Sequence, residues 1–222
     1  MILTVIGATG NLGRKLLTQG AARGHQMRAI SRSISRTVSS APLPAGVAVF
    51  EGSDATPDVL AEAFAGADVV MIVFPPSLAN PGDYPNQIAR VLAAAKANGV
   101  PRVIGLVGSA GTMTSKGMAL VDTDFFGETT RHFYQGVHHA WDSYRAETEL
   151  DWVCFVPAAR MQTHMEDRGE YRTRTDEHLV TTDDSSWQFF DVSQISYGDL
   201  AMAMLDEVER LQHRHVFVTT GY

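Results

Sequence analysis

The sequence predicts a doubly wound α/β sheet of mostly parallel strands in a single domain. Three observations carry this. Short apolar runs alternate with helical stretches through the first two thirds of the chain. A glycine-rich turn joins the first run to the first helix. The length, 222 residues, suits one core.

Each element follows from its residues. Ile2–Ile6 is an apolar run ending at Gly7 and reads as a buried parallel strand. Asn11 to about Ala22 is helical, with Leu12, Leu16 and Leu17 on one face and Gly24 as its left-handed cap. Met27–Ile30 and Val47–Phe50 are the next strands, separated by a Ser-, Pro- and Ala-rich loop over 33–46. Pro57–Ala65 is a helix with Pro in its first turn. Val69–Phe74 is a fourth strand, Pro85–Asn98 a helix closed by Gly99, and Val103–Gly108 a fifth strand ending at Ser109. Residues 110–130 read as loop. Arg131–Glu149 reads as a helix with Phe133, Val137, Ala140, Trp141 and Tyr144 on one face. Trp141 and Tyr144 fit either the core or a second copy of the chain in a homodimer. Trp152–Val156 is a sixth strand, ended by Pro157. Residues 158–195 are polar and mixed, with room for a short strand such as Gln188–Asp191. Ser196 caps a last helix, with Asp199 completing a weaker capping box, and Leu200, Met204, Leu205 and Val208 on its apolar face. His215–Thr219 makes a closing strand. The helices supply the crossovers that parallel strands require.

Composition excludes several classes. Hydrophobic residues make up 45%, too many for a disordered chain. No apolar run reaches the roughly 20 residues that span a bilayer, so no membrane association is expected. Cys154 is the sole cysteine, which rules out an intramolecular disulfide and argues against a cysteine zinc site. The apolar start runs into Gly7 without the basic stretch of a signal peptide, so a cytoplasmic protein is expected. A net charge of −7 argues against non-specific nucleic-acid binding. Residues 1–50, however, hold Arg14, Lys15, Arg23, Arg28, Arg32 and Arg36 and no Asp or Glu. That local excess suits one small anionic ligand.

The turn Gly7-Ala8-Thr9-Gly10-Asn11-Leu12-Gly13 follows a strand and opens a helix, the context that makes this spacing informative. Gly7 permits the tight turn, Gly10 lets a pyrophosphate approach the backbone, and Gly13 lets helix and strand pack closely. The helix N-terminus then offers free N–H groups to the phosphates. This marks a dinucleotide site, with residues 1–156 as its core and 157–222 as a substrate-side segment. NAD sites usually place an acid about 20 residues on, against the ribose hydroxyls. Here the second strand ends Ser31-Arg32, with no acid nearby. An Arg with neighbouring hydroxyls suits a ribose 2′-phosphate, which predicts NADP(H) over NAD(H) without excluding the latter. Asp54 is placed either to meet the adenine edge or to cap the helix at Pro57. Phe74 and Pro75 end the fourth strand, where the nicotinamide side of a cofactor lies.

The opening Thr-Val-Ile-Gly-Ala-Thr-Gly-Asn-Leu-Gly resembles the atypical short-chain dehydrogenases. Within them it is most similar to a single-domain NAD(P)H-binding group of NmrA-like proteins, NADH-flavin reductases and biliverdin reductase B. Gly108-Ser109-Ala110-Gly111, Leu150-Asp151-Trp152 with Val156-Pro157-Ala158-Ala159, and Ile195-Ser196-Tyr197-Gly198-Asp199-Leu200-Ala201 extend the resemblance over nearly the whole chain. It implies a Rossmann fold and a small-molecule substrate. Typical short-chain dehydrogenases pair a Tyr proton donor with a Lys four residues on, and a Ser. Here the corresponding residues are Tyr134 and His138, which share a helix face. A neutral His supplies no fixed charge to tune a phenol whose ordinary pKa is about 10. Flavin reductases of this group also lack the Tyr–Lys pair, because a conjugated acceptor takes its proton from solvent. Ser109, at the end of the fifth strand, is the best single active-site candidate, with a strand-end cap as its structural alternative. Arg160, Met161, His164 and Tyr171 are candidates for the substrate side. The pairs His138-His139 and His213-x-His215 read as solvated surface rather than a metal site. Three activities remain open: an NADPH-dependent reductase of a flavin, quinone or similar acceptor, a non-enzymatic NADP sensor, and a carbonyl or sugar dehydrogenase using Tyr134.

Overall fold

The alternating residues of strand β1 (Ile2–Ile6) divide the core into two layers. Leu3 and Val5 point into one, and Ile6 into the other. The buried Thr4 hydroxyl donates to the Ala63 carbonyl at 2.9 Å on the second side. In this computed structural model, which describes residues 1–32, 42–114, 117–124, 126–182 and 189–222, seven further strands extend the sheet. They are β2 (Gln26–Ser31), β3 (Ala48–Glu51), β4 (Val69–Ile72), β5 (Arg102–Leu106), β6 (Asp151–Pro157), β7 (Arg172–Arg174) and β8 (Val216–Gly221). The order is β3-β2-β1-β4-β5-β6-β8-β7. All neighbours are parallel except β7, which pairs antiparallel with β8. Strands from both 1–156 and 157–222 therefore share one sheet.

Among the described residues, five helices of eight or more residues cover it. Helix α1 (Asn11–Ala22) buries Leu12, Leu16 and Leu17 beside Leu200, Met204, Leu205 and Val208 of α5 (Tyr197–Arg210). The other face carries α2 (Pro57–Phe64), α3 (Tyr84–Ala97) and α4 (Glu128–Arg145). Trp141 and Tyr144 of α4 are 0% exposed and pack with Trp152 and Phe217, so they belong to the core and not to a partner surface. Cys154 is buried in the same layer, as a small hydrophobe.

The expected capping box forms. Ser196 Oγ accepts the Asp199 N–H at 3.0 Å. Asp199 does more than cap. Its carboxylate is buried and accepts the N–H groups of Arg168 (2.7 Å) and Gly169 (2.9 Å) and the Tyr222 hydroxyl (2.5 Å). The chain end, the last helix and the 167–169 loop are thus tied through one carboxylate.

Several boundaries differ from expectation. Helix α4 begins at Glu128 and ends at Arg145, where the Glu147 carboxylate takes over by accepting the N–H groups of Glu149 and Leu150. The stretch 110–130 is not all loop: it holds 3-10 turns at Ser109–Gly111 and Leu120–Asp122. In place of a strand at Gln188–Asp191, residues Phe189–Val192 form one helical turn, and Gln188 lies outside the described residues. Strand β4 stops at Ile72, although the Val73 N–H still reaches the Ile6 carbonyl at 3.0 Å. His215 sits at φ 52° in the turn before β8, and that strand runs on to Gly221 because β7 and Pro157 of β6 extend its pairing.

Candidate cofactor site

In this order β1 lies between β2 and β4, so the connections leaving β1 and β4 diverge to opposite faces and open a crevice at the carboxyl ends of the strands. A cleft of about 230 Å³ lies there, lined by Gly7, Thr9, Gly10, Ser31, Arg32, Asp54, Phe74 and Pro75, and also by Ile6, Ile30, Gly52, Ser53, Ser77 and Gln87. Eight of the residues expected at a cofactor are thereby brought together.

The glycines divide their roles as the motif requires. Gly7 has φ +94°, and a Cβ there would lie 2.7 Å from the Phe74 nitrogen. A Cβ on Gly13 would collide with the Gly7 carbonyl oxygen and lie 2.7 Å from Ala8 Cα, so Gly13 serves the packing of α1 on the turn. Gly10 is different. A Cβ there would meet only the Gly7 oxygen, at 3.4 Å, so the protein itself does not demand glycine and the open space faces the cleft. Gly10 N-caps α1 without a side-chain bond, and the first intrahelical bond runs from the Arg14 N–H to the Gly10 carbonyl at 3.0 Å. The Asn11, Leu12 and Gly13 amides precede it and are the helix's free donors. Leu12 turns its side chain into the core and does not line the cleft. The fit for a dinucleotide phosphate is therefore a bare helix N-terminus beside a Cβ-free position.

Two contacts shape the turn. Thr9 and Ser31 share a hydrogen bond of 2.7 Å between their hydroxyls, and Arg14 Nε donates to the Thr9 carbonyl at 3.2 Å. The basic excess of residues 1–50 turns out to be mostly structural. Lys15 pairs with Asp167, Arg23 with Asp206 and Glu209, and Arg28 donates to the Ala63 and Ala65 carbonyls at the end of α2. Arg36 lies outside the described residues. Among the described residues of that stretch, Arg32 is the cation with no hydrogen bond or ion pair, and it lines the cleft.

Asp54 lines the cleft and does not cap α2, whose N-cap is Thr56 with no side-chain bond. Its carboxylate, 9% exposed, accepts from Arg90 Nε (2.9 Å), Arg90 Nη2 (2.6 Å) and Gln87 Nε2 (3.3 Å). Arg90 reaches on to Asp83 at 3.0 Å. Arg90 first, and Asn86 second, hold the Asp83 carboxyl below its ordinary value. At the far wall, Phe74 meets the buried Tyr84 ring edge to face at 5.9 Å. The Tyr84 hydroxyl lies within donating reach of both the Phe74 carbonyl (3.1 Å) and the Leu106 carbonyl (3.3 Å), bracing the ends of β4 and β5. Burial pushes its pKa well up, so it stays a neutral donor. Gln87, Arg90 and Tyr84 were not legible as site residues, because each acts through a partner ten or more residues away.

The expected catalytic residues Ser109, Tyr134 and His138 are not among the residues that line this cleft. Ser109 is half-exposed and opens the 3-10 turn after β5, where its carbonyl accepts the Thr112 N–H and hydroxyl. The Tyr134 ring packs against Phe126 at 4.3 Å and Phe133 at 5.2 Å. No hydrogen bond joins Tyr134 to His138 among the described residues. His138 faces the 3-10 turn, close enough that a Cβ on Gly111 would lie 3.0 Å from its ring. Tyr171 points away, donating to Asp206 at 2.7 Å, and Arg160 pairs with Gln162 and Asp191. Met161 packs on the core and His164 is exposed. His213 and His215 are not free surface: one bonds Glu207 at 2.7 Å, the other the Leu150 carbonyl at 2.7 Å. No group of three metal-ligating side chains occurs among the described residues, and no helix there is long and apolar enough to cross a membrane.

Residues 7–210 match the model of the NAD(P)H-binding family. The chain belongs to that family. Over 97% of its length it is 26% identical to the uncharacterised protein YwnB of Bacillus subtilis, covering 95% of that protein. Its fold matches a Bacteroides thetaiotaomicron protein described as a candidate epimerase, with TM-score 0.84, 26% identity, and coverage of 100% of this chain and 96% of that one. It also matches a Streptococcus pneumoniae protein described as a candidate NADH-flavin reductase, with TM-score 0.79, 22% identity, and coverage of 100% and 99%. That last likeness speaks for the shared fold alone.

Proposed function

We propose that this member of the NAD(P)H-binding family is a reductase that passes hydride from NADPH to a flavin, quinone or similar conjugated acceptor. The observation that carries the reading is the contrast between a well-formed cofactor cleft and an unassembled proton relay. The cleft has free helix amides, a Cβ-free Gly10 and an unpaired Arg32 beside the Thr9 and Ser31 hydroxyls. Tyr134, the one candidate proton donor, sits in an apolar cluster with Leu120, Phe126 and Leu179. NADPH supplies the hydride. The chain's own residues bind and orient: the α1 amides at the pyrophosphate, Arg32 at the 2′-phosphate, and Phe74 with Pro75 at the nicotinamide side. Ser109, at the end of β5, is assigned a contact to acceptor or nicotinamide. A conjugated acceptor needs no protein acid, because its reduced form gains a proton from water. The structural relatives carry two different candidate activities, so neither is transferred.

The test is loss of NADPH absorbance with FMN, riboflavin and a panel of quinones, NADH as control, in wild type and Tyr134→Phe. Turnover that prefers NADPH and survives Tyr134→Phe is expected. Turnover abolished by Tyr134→Phe with cofactor binding intact would establish the carbonyl-dehydrogenase reading instead. NADPH binding with no turnover on any acceptor would favour a cofactor sensor.

A further inference from the structure

The ladder between β4 and β5 ends at the Ile72–Gly105 pair. Beyond it, Pro75 and Pro76 have no N–H with which to continue the pairing. Two backbone carbonyls stand just past this end. One belongs to Phe74, in the cleft wall, and the other to Leu106, which leads through Val107 and Gly108 to Ser109. The Tyr84 hydroxyl lies between them, at 3.1 Å and 3.3 Å, and its one proton serves two acceptors. Tyr84 is buried at the start of α3, and its ring is fixed further by the edge-to-face contact with Phe74. The strand end is held a second time, from the other helix. Trp141 Nε1 of α4 donates to the Gly108 carbonyl at 3.3 Å. The Ser109 turn is seated on α4 at both of its ends. A Cβ on Gly108 would lie 2.7 Å from Val137, and one on Gly111 would lie 2.8 Å from Trp141. Two buried ring donors from two helices therefore hold the backbone that carries Ser109, and Tyr84 alone ties it to the cleft wall.

We propose that Tyr84 and Trp141 are positioning residues for hydride transfer, fixing the Ser109 turn against the wall formed by Phe74 and Pro75. This rests on the reductase reading above. The reaction is the one given there: hydride passes with its electron pair from NADPH to the acceptor, and a proton follows from water. Neither ring touches the reacting atoms. They act on distance, to which transfer between two bound partners is steeply sensitive: a misplacement of 1 Å can cost about 100-fold.

The experiment mixes NADPH-loaded enzyme with the fastest acceptor among FMN, riboflavin and the quinones, and follows NADPH absorbance through a single turnover. NADPH dideuterated at nicotinamide C4 marks the phase that is hydride transfer. Tyr84→Phe removes one oxygen and keeps the ring. Its transfer rate is expected to fall by about tenfold, while its dissociation constant for NADPH changes by less than about threefold. Ser143→Ala removes a different bond to α3, the 2.9 Å one from the Ser143 hydroxyl to the Pro85 carbonyl, and is expected to keep the wild-type rate. A merely structural role for Tyr84 would lower the melting temperature and leave the transfer rate unchanged, and that result overturns the proposal. Equal slowing in Ser143→Ala would show a general loosening of α3 and overturns it too. Should Tyr84→Phe fail to fold, Trp141→Phe releases the same backbone from the α4 side, and an unchanged rate there overturns the proposal equally. Wild type that transfers hydride to none of these acceptors defeats the reductase reading and this proposal with it, whereas wild type and Tyr84→Phe transferring at one rate defeats only this proposal.

Discussion

The Thr9 and Ser31 hydroxyls lie 2.7 Å apart, joining the phosphate turn after β1 to the end of β2. The bond ties the turn that carries Gly10 to the strand end that carries Arg32, the two groups proposed to hold the pyrophosphate and the 2′-phosphate. Ser31→Ala removes it with little loss of packing. The expected outcome is about fivefold weaker NADPH binding, from a neutral hydrogen bond of about 1 kcal/mol. Titration by intrinsic fluorescence checks it, with an unchanged melting curve as the control for folding.

The proposed preference for NADPH rests on Arg32, which lines the cleft. Arg32→Asp places a carboxylate at the end of β2, where it repels a 2′-phosphate and accepts from ribose hydroxyls. NADPH affinity is expected to fall by about 100-fold, since charge-assisted hydrogen bonds are worth about 1.5–3 kcal/mol each. NADH affinity is expected to hold or rise. Parallel loss of both would show that Arg32 serves the fold and not the phosphate.

Gly10 and Gly13 are expected to separate binding from folding. At Gly13 an added Cβ runs into the Gly7 carbonyl and the Ala8 backbone, which cannot yield as a side chain does. Gly13→Ala should cost about 3 kcal/mol, read from urea unfolding. Gly10→Ala meets a single oxygen at 3.4 Å, so the fold should persist while the methyl occupies the phosphate's approach. A Gly10→Ala protein that binds NADPH normally would remove Gly10 from the site.

Acid sensitivity should centre on Glu147. Burial opposes its ionisation, but the Leu150 and Glu149 N–H groups and Lys96 outweigh burial, and the carboxyl sits below its ordinary value. A depressed folded-state pKa gives stability that is fully present above the unfolded value and is lost as pH falls through the folded one. Unfolding free energies of wild type and Glu147→Gln should therefore differ most near neutrality and converge below about pH 4. A difference that stays constant across this range would mean the contacts do not depend on the charge.

Local pattern decided much of this protein before any tertiary contact. The apolar run of β1, the glycine spacing and the α1 face place the phosphate turn, because strand, turn and first helical turn interact within a few residues of one another. The Ser196–Asp199 cap was legible for the same reason. The family resemblance extended that reading over the chain. The structure alone decided what the long-range partners do. The N-terminal cations read as a ligand zone, yet Lys15, Arg23 and Arg28 pair with groups up to 186 residues away, leaving Arg32 at the cleft. Asp54 was balanced between base and helix cap until Arg90, 36 residues on, claimed one of its oxygens. Trp141 and Tyr144 gave the same apolar signal for core or interface, and only the packing of α4 on β6 and β8 put them inside. Side chains acquire these roles when the sheet order brings separate strand ends together, and sheet order is a property of the whole chain rather than of any window within it.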